Sequence, residues 1–245
     1  MDNCKSLLDS VVYYWTVDAK ERNKLVYEAF EKNTNADSQL LDSFNQLEGC
    51  GETPFSWNWK LLVDEMSLNF RYLEIGVYKG RVLAQVGMLA KRSRKNAILV
   101  GITPLASVGD QYSNYEDIDY KAAIEKNYTH VGNQLDNLHI IKGFSQESTV
   151  IQEAEKRGPF DIIFIDGCHD YDIVVKDIDN YTPLLKHGGF LVMDDASLYI
   201  EYPHGIFLGH PDVSRAVKEH LDGNDSFLPI YNIGHNRVWR KKSVN

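Results

Sequence analysis

Apolar residues follow a helical period through the first 69 residues of the chain. One group repeats at three- and four-residue spacing, at Leu7, Leu8, Val11, Val12 and Trp15. A second group repeats in the same way, at Leu25, Val26, Ala29 and Phe30. Asp18, a residue type that caps helix N-termini, precedes the second group. The pattern predicts two amphipathic helices in an N-terminal helical extension over residues 1–69.

A short segment rich in glycine and aromatic residues, EGCGETPFSWNW, spans residues 48–59. Its two glycines and its proline predict a loop. Phe55, Trp57 and Trp59 lie close together in it, and two interpretations are open. The aromatic side chains either form a lid over a ligand or anchor the N-terminal helices to the rest of the protein, and we prefer the second.

From about Phe70 short apolar runs alternate with helical patterns. The five runs are FRYLEIG, NAILVGI, NLHIIKG, DIIFIDG and FLVMDD. Strands that alternate with helices form βαβ units and a mostly parallel sheet with helices on both faces. Two final runs, FLPIYNI and RVWRKK, are separated only by GHN and predict a terminal hairpin.

The predicted fold is therefore an α/β domain over residues 70–245. It contains a doubly wound, mostly parallel seven-stranded sheet that ends in a C-terminal antiparallel hairpin. Ligands bind outside the carboxyl ends of the strands in such sheets. The residues that follow each strand are therefore the candidates for a functional site.

Charge and composition exclude several classes of partner. The net charge is −9, with 26 Lys plus Arg against 35 Asp plus Glu, whereas nucleic-acid binding requires a basic stripe. The basic cluster KRSRK, at 91–95, is typical of a solvated helix C-terminus. No apolar run approaches the ~20 residues that span a bilayer, and the N-terminus lacks a signal-peptide pattern. With three unpatterned cysteines, we expect a cytoplasmic protein without a membrane partner, and any homo-oligomer to form through the N-terminal helices.

The first strand ends in YLEIGVYKG, where Gly76 and Gly80 follow Glu74. Glycines at a strand-to-helix turn let a ligand approach the backbone at a helix N-terminus, although such a turn can also require glycine for its own sake. The spacing E-x-G-x-x-x-G differs from the dinucleotide fingerprint GxGxxG. An NAD-dependent oxidoreductase is therefore disfavoured.

Three carboxylates follow the fourth and fifth strands. Asp166 comes directly after DIIFI, and Asp194 and Asp195 come after FLVM. Neighbouring strands lie about 4.8 Å apart, so the three side chains should converge. Like charges at such distances raise one another's pKa, and a divalent cation with a preference for oxygen ligands removes that penalty. The pattern favours a metal site over a polar loop.

His169 lies three residues after Asp166, in the turn before a helix. Such a histidine is often only solvated or capping, but its ordinary pKa near 6.5 also suits a general base beside a metal-held hydroxyl. Cys168 is a weak candidate for a zinc ligand because the other nearby candidates are carboxylates.

The segments YLEIGVYKG and DIIFIDGCHDYDIVVKDIDNYTPLLKHGGFLVMDD resemble class I S-adenosylmethionine-dependent methyltransferases. The resemblance covers about residues 70–241. It points to the branch with a D-G-x-H-x-Y signature, which includes metal-dependent sugar O-methyltransferases of macrolide biosynthesis. It implies that Glu74, Gly76 and Gly80 hold the methionine part of the cofactor, and that Phe144 and Ser145 flank its adenine.

The same resemblance implies a metal site and a base. The ligands of a Mg²⁺ or another divalent cation would be Asp166, Asp194 and, as a further candidate, Asp195. Asp166 is also counted among the residues that contact the cofactor. His169 lies at the position of the family's base.

One residue departs from the family pattern. The second strand usually ends in an acid that binds the cofactor ribose, in a run like GIDP, but this chain reads GITP with Thr103 in that place. A hydroxyl lacks the charge-assisted hydrogen bonds of a carboxylate. Either a nearby acid, Asp110, Glu116 or Asp117, substitutes for it, or cofactor affinity is weakened.

A long loop, ASLYIEYPHGIFLGH, follows the acid pair and is a candidate for acceptor binding. Its candidate contacts are Tyr199, Tyr202, His204 and His210. The sequence as a whole predicts a metal-assisted O-methyltransferase whose acceptor is a hydroxyl of a small molecule, such as a sugar or a glycosylated metabolite. The alternative is a non-catalytic binding or scaffold protein that keeps the methyltransferase fold.

Overall fold

A computed structural model describes residues 18–202 and 205–243. Its helices, numbered along this part of the chain, are α1 Ala19–Ala36, α2 Ser38–Gln46, α3 Thr53–Glu65, α4 Arg81–Arg92, α5 Tyr120–His130, α6 Ser148–Arg157, α7 Tyr171–Tyr181 and α8 Pro211–His220. Its strands are β1 Asn69–Ile75, β2 Asn96–Thr103, β3 Leu138–Lys142, β4 Phe160–Ile165, β5 Leu185–Met193, β6 Phe227–Ile233 and β7 Asn236–Lys241. The predicted helix between Leu7 and Trp15 and the candidate contact His204 lie outside the described residues.

The strands form one sheet in the order β3-β2-β1-β4-β5-β7-β6. The first five strands pair in parallel, and β7 pairs antiparallel with both β5 and β6. The prediction of a mostly parallel seven-stranded sheet with a C-terminal antiparallel hairpin is therefore confirmed. The order reverses beside β1, and this switch point puts the ends of β1, β2 and β4 next to one another.

The N-terminal helices begin where their caps predict, with one correction. The Asp18 carboxylate accepts the Glu21 N–H at 2.9 Å and starts α1. The loop predicted over 48–59 is wrong in its second half, where α3 begins at Thr53. Pro54 is compatible with the first turn of a helix, and Phe55 and Trp59 after it are buried, whereas Trp57 is half-buried.

The fifth strand starts earlier than its apolar run. It begins at Leu185 and pairs with β4 through an irregular register between Phe160 and Ile162. A Cβ at Gly189 would lie 2.8 Å from the Asp161 carbonyl oxygen, so glycine permits the close approach at this irregularity. The glycines of KHGG therefore belong to the strand and do not end the preceding helix.

Two apolar layers cover the two faces of the sheet. Helices α2–α5 pack on one face, and α6–α8 pack on the other. Trp59 of α3 is 1% exposed and meets the rings of Tyr72 and Phe164 edge-on, at centroid distances of 6.0 and 4.8 Å. The N-terminal helices thus share a core with the sheet, which agrees with an anchoring role for this side chain. The boundary at residue 69 stays a prediction.

Within 18–202 and 205–243, no helix combines the length and the apolar character that a membrane crossing requires.

Replacing Trp59 with Ala should lower the free energy of unfolding by about 3–5 kcal/mol, because it removes a buried aromatic side chain and leaves a cavity. Urea titration followed by circular dichroism measures this change. Leu68→Ala is the matched control, since Leu68 is 61% exposed and its truncation should change the stability by less than about 0.5 kcal/mol. Equal effects of the two substitutions would contradict the packing described.

Candidate active site

The parallel pairing of β4 and β5 places two acidic residues side by side. Ile165 and Met193 are paired in register, and each is followed directly by an aspartate. The Asp194 N–H donates to the Ile165 carbonyl oxygen at 3.0 Å, and the Asp166 N–H donates to the Ile75 carbonyl oxygen at 2.8 Å. The sheet backbone therefore fixes the origin of both side chains.

The carboxyl groups of Asp166 and Asp194 lie next to each other and share a hydrogen bond when one of them is protonated. Burial raises the pKa of Asp166 well above its usual range, and the neighbouring charge of Asp194 raises it further. Burial also raises the pKa of Asp194, against the opposing effect of His235. Without a cation the pair holds a proton more tightly than two solvated carboxylates would.

Glu74 lies beneath this pair. It is 3% exposed, and its carboxylate accepts the Tyr72 hydroxyl at 3.0 Å. Burial raises its pKa to about 8, with the charge of Asp194 acting in the same direction. Glu74 thus adds to the crowding of carboxylates at this edge of the sheet.

Asp195 has an unusual backbone conformation. Its φ is +52°, a left-handed value that few residues other than glycine adopt. The following loop returns close to it, because a Cβ at Gly209 would lie 2.1 Å from the Asp195 carbonyl oxygen. Such strained positions concentrate at functional sites. The conformation turns the Asp195 carboxylate towards two histidines: its Oδ2 lies 2.9 Å from Nε2 of His169 and 3.6 Å from Nε2 of His210.

His169 lies between two carboxylates. Its Nδ1 lies 2.6 Å from Oδ2 of Asp110, which also accepts the His169 backbone N–H at 2.9 Å, and its Nε2 faces Asp195. Burial works to lower the pKa of His169, but the hydrogen bond to Asp195 and the charges of both carboxylates outweigh it and raise the pKa. Burial works to raise the pKa of Asp110, but the N–H groups of His169 and Tyr112 and the imidazole lower it to about 2.

Thr103, in the place of the expected acid, is 5% exposed and accepts the Leu105 N–H at 3.3 Å. The Asp110 carboxylate is hydrogen-bonded to His169, and Glu116 forms an ion pair with Lys79 at 2.9 Å. Asp117 is exposed. The structure therefore directs two of the three candidate substitutes to other partners.

Two groups of side chains bring their donor atoms within 4.8 Å of one another. One is His169, Asp195 and His210, and the other is Asp194, Asp195 and His235. Asp166 lies beside the second group because its carboxyl group contacts that of Asp194. Cys168 lies on the same wall, where burial raises its thiol pKa to about 11, which disfavours the thiolate that a metal requires.

Sequence reasoning missed His235, which lies in the hairpin turn GHN. Because β7 pairs antiparallel with β5, Met193 lies opposite Arg237 and the turn lies beside Asp194. Nε2 of His235 is 3.3 Å from Oδ1 of Asp194, and the Asn236 amide donates to the same oxygen at 2.7 Å. Docking the predicted hairpin on the fifth strand would have brought this histidine to the acids.

Gly76 is required by the approach of two strand ends. Its φ is +89°, and a Cβ there would lie 1.8 Å from the Asp166 carbonyl oxygen. Gly80 has a φ of +76° and precedes α4, with α5 packed against it through Ile124. Gly76 lies on the wall of a cavity, whereas Gly80 does not line it.

This cavity, of about 770 Å³, opens at the carboxyl ends of the strands. Most of the predicted site residues line it: Gly76, Thr103, Phe144, Ser145, Asp166, His169, Asp194 and Asp195. Glu74 and Gly80 are not among the residues that line it. In the long loop His210 lines the cavity, whereas the Tyr202 hydroxyl accepts the Gly234 N–H, and Tyr199 is exposed.

Comparison with known families shows the family to which the chain belongs. A family model described as a methyltransferase domain matches residues 73–196, just over half of the 245 residues. The chain belongs to this methyltransferase family. An uncharacterised protein of Acanthamoeba polyphaga mimivirus is 30% identical over 130 residues, which are 52% of each chain, so the match spans about half the length of that relative.

Solved methyltransferase structures share the fold. Cofactor-bound Rv0187 from MTB is 16% identical, with a TM-score of 0.54 over 85% of this chain and 91% of that one. An O-methyltransferase from Bacillus cereus in complex with SAH is 14% identical, with a TM-score of 0.52 over 84% and 91%. The O-methyltransferase NovP is 14% identical, with a TM-score of 0.51 over 76% and 78%. At these identities the comparison establishes the fold.

The pair of Asp110 and His169 predicts a pH-dependent stability. The lowered pKa of Asp110 stabilises the fold above its ordinary value of 3.8, and this contribution is lost as the pH falls through about 2. The raised pKa of His169 stabilises the fold below 6.5, and this contribution is lost as the pH rises through the raised value. In a chelating buffer, Asp110→Asn should therefore cost most between about pH 4 and 6.5, roughly 1–3 kcal/mol.

Thermal melting of both proteins across the pH range measures this difference. Asp179→Asn, which removes an exposed carboxylate of α7, is the control and should show no such window. A gap between wild type and Asp110→Asn that stays constant from pH 4 to pH 9 would contradict the coupling.

Proposed function

We propose that the protein is an S-adenosylmethionine-dependent O-methyltransferase that acts, with a divalent cation, on a hydroxyl of a small molecule such as a sugar or a glycosylated metabolite. The observation that carries the proposal is the meeting of three aspartates and His169 on one wall of the cavity. The family supports methyl transfer, and the acids and histidine favour oxygen as the acceptor atom.

The cavity suits the cofactor in two respects. Gly76 leaves the backbone accessible in the turn between β1 and α4. Phe144 offers a 44% exposed ring at the end of β3. An exposed aromatic face can stack on a purine base. The cofactor supplies a methyl group on a positively charged sulfur, and the acids of the wall favour a cation nearby.

The acids suit a divalent cation. Asp166, Asp194 and Asp195 would hold it, with His235 or His210 as nitrogen donors. Their crowding raises the pKa of the first two carboxyl groups, and bound positive charge reverses that effect. Such a cation supplies Lewis acidity, which makes a nearby hydroxyl easier to deprotonate.

His169 is placed to take that proton. Asp110 is ionised and only accepts hydrogen bonds, so it selects the tautomer with the proton on Nδ1. Nε2, which lies 2.9 Å from Oδ2 of Asp195, is then the nitrogen left to accept the proton. The residues around it orient the ring and limit water, so that the acceptor oxygen can approach the methyl group in line.

The rest of the wall suits a hydroxylated ring. Tyr112 stacks on His210 at a centroid distance of 4.0 Å, and Phe207 lies edge-on to the same imidazole at 5.4 Å. Aromatic faces beside carboxylates offer apolar contacts to the ring and hydrogen-bond acceptors to its hydroxyl groups.

The second candidate is a scaffold protein that has lost cofactor binding, and Thr103 is the observation in its favour. Calorimetric titration with S-adenosylmethionine and S-adenosylhomocysteine separates the two functions. The enzyme hypothesis expects both nucleosides to bind, and the absence of detectable binding by either would favour the scaffold.

Replacing His169 with Ala should lower kcat by about 10²–10⁴, because proton transfer by a positioned base contributes that much. The affinity for S-adenosylhomocysteine should change less than about threefold. The measurement is transfer of a labelled methyl group to a panel of sugars and glycosides. His187→Ala, which removes an exposed histidine, is the control, and full activity of His169→Ala would exclude this residue as the base.

Removal of divalent cations with a chelator should abolish turnover, and Mg²⁺ or Mn²⁺ should restore it. Asp194→Asn should raise the Mn²⁺ dissociation constant roughly 10-fold or more, since it removes a charged ligand. Calorimetric titration with Mn²⁺ measures it, with Asp179→Asn as the control for loss of one negative charge. Unchanged Mn²⁺ affinity in Asp194→Asn would remove this residue from the site.

A further inference from the structure

Arg81 is the one Lys or Arg that lines the cavity within the described part of the chain. It is the first residue of α4, next to the turn that ends β1. Six acidic residues line the same cavity: Glu52, Asp110, Asp166, Asp170, Asp194 and Asp195. The wall is therefore negative in most places and positive at one.

The Arg81 guanidinium forms no ion pair with any carboxylate that the structure describes. Its Nη2 donates to the Leu47 carbonyl oxygen, and its Cζ lies 4.8 Å from the centre of the Phe44 ring. Nε is buried and has no partner among the described residues. By contrast, neighbouring Lys79 pairs with Glu48 and Glu116, at 3.7 and 2.9 Å.

A guanidinium in this state is energetically unfavourable without an anion. Burial lowers the pKa of Arg81, which shows that its charge is partly desolvated. A desolvated charge costs free energy unless a counter-charge and hydrogen bonds compensate it. The planar guanidinium fork matches the two oxygens of a carboxylate.

The loop before α3 is shaped around this side chain. Gly49 and Gly51 have φ values of +135° and +131°, which favour glycine. A Cβ at Gly49 would lie 3.2 Å from the Cβ of Arg81, and a Cβ at Gly51 would lie 4.0 Å from its Nη1. Gly49 therefore lets the backbone pass close to the base of the Arg81 side chain, and Gly51 places the same loop beside the guanidinium.

We propose that Arg81 binds the carboxylate at the amino-acid end of S-adenosylmethionine, an inference that rests on the proposed function. The carboxylate is the one anionic group of that cofactor. The six acids of the wall repel it from other positions, and the same acids attract the sulfonium and the ammonium. Arg81 therefore sets the direction in which the cofactor lies, with its carboxylate at α4 and its methyl group towards His169.

Calorimetric titration with two ligands tests this assignment. S-Adenosylhomocysteine carries the amino-acid group, whereas 5′-methylthioadenosine keeps the nucleoside and the thioether but lacks that group. Arg81→Gln should weaken S-adenosylhomocysteine binding about 10- to 100-fold, the value of a charged hydrogen bond, and change methylthioadenosine binding less than about threefold.

Two further variants complete the experiment. Arg92→Gln removes the same charge from the other end of α4, where Arg92 pairs with Asp37, and should leave both affinities unchanged. Arg81→Lys keeps the charge without the fork, so it should weaken S-adenosylhomocysteine binding alone and by less than Arg81→Gln. It replaces Arg81→Gln as the test if the latter does not fold by circular dichroism.

Three outcomes would overturn the assignment. Unchanged S-adenosylhomocysteine affinity in both Arg81 variants would show that the carboxylate binds elsewhere. Equal weakening of both ligands would show that Arg81 only supports the fold of the cavity. Binding of neither ligand to the wild type would overturn the proposed function together with the inference, whereas the first two outcomes leave the proposed function intact.

Discussion

The contact between the Asp166 and Asp194 carboxyl groups is the constraint on which the rest of the site depends. Parallel pairing of β4 and β5 fixes the two residues at one level, and the backbone hydrogen bond from Asp194 to Ile165 keeps them there. Two buried carboxyl groups in contact require a proton or a cation between them. A divalent cation would meet this requirement at neutral pH, and under the proposed function its binding would link the stability of the sheet edge to the chemistry of the cavity.

Segments outside the ends of β4 and β5 supply the other charged residues of the site. The segment after β2 brings Asp110 to His169, the strained turn at Asp195 faces the same ring, and the hairpin turn brings His235 to Asp194. Arg81 lies on the wall at the start of α4. Under the proposed function, a cofactor with one anionic and two cationic groups would bind in such a polarised cavity in one direction, with its methyl group towards His169.

The sheet and the strand-end acids could be predicted because they follow local rules. Strand and helix periods identify the elements, and parallel pairing brings Asp166 to Asp194. The remaining features depend on contacts between distant segments. The role of His235 requires knowing that the hairpin docks on β5, and the role of Asp110 requires the path of the chain after Thr103. The burial of Glu74, and the absence of an acidic partner for Arg81 among the described residues, are properties of packing. The helical turn at Thr53 was obscured by Pro54, which here lies in the first turn of a helix.

Crystals grown with Mn²⁺ and S-adenosylhomocysteine show directly whether a metal binds between the strand-end aspartates. Anomalous diffraction locates manganese independently of the refined coordinates. We predict an anomalous peak bounded by oxygens of Asp166, Asp194 and Asp195, with the nucleoside in the cavity and its sulfur on the side of His169. A cavity that contains S-adenosylhomocysteine but shows no anomalous peak among these three carboxylates, at saturating Mn²⁺, would contradict it.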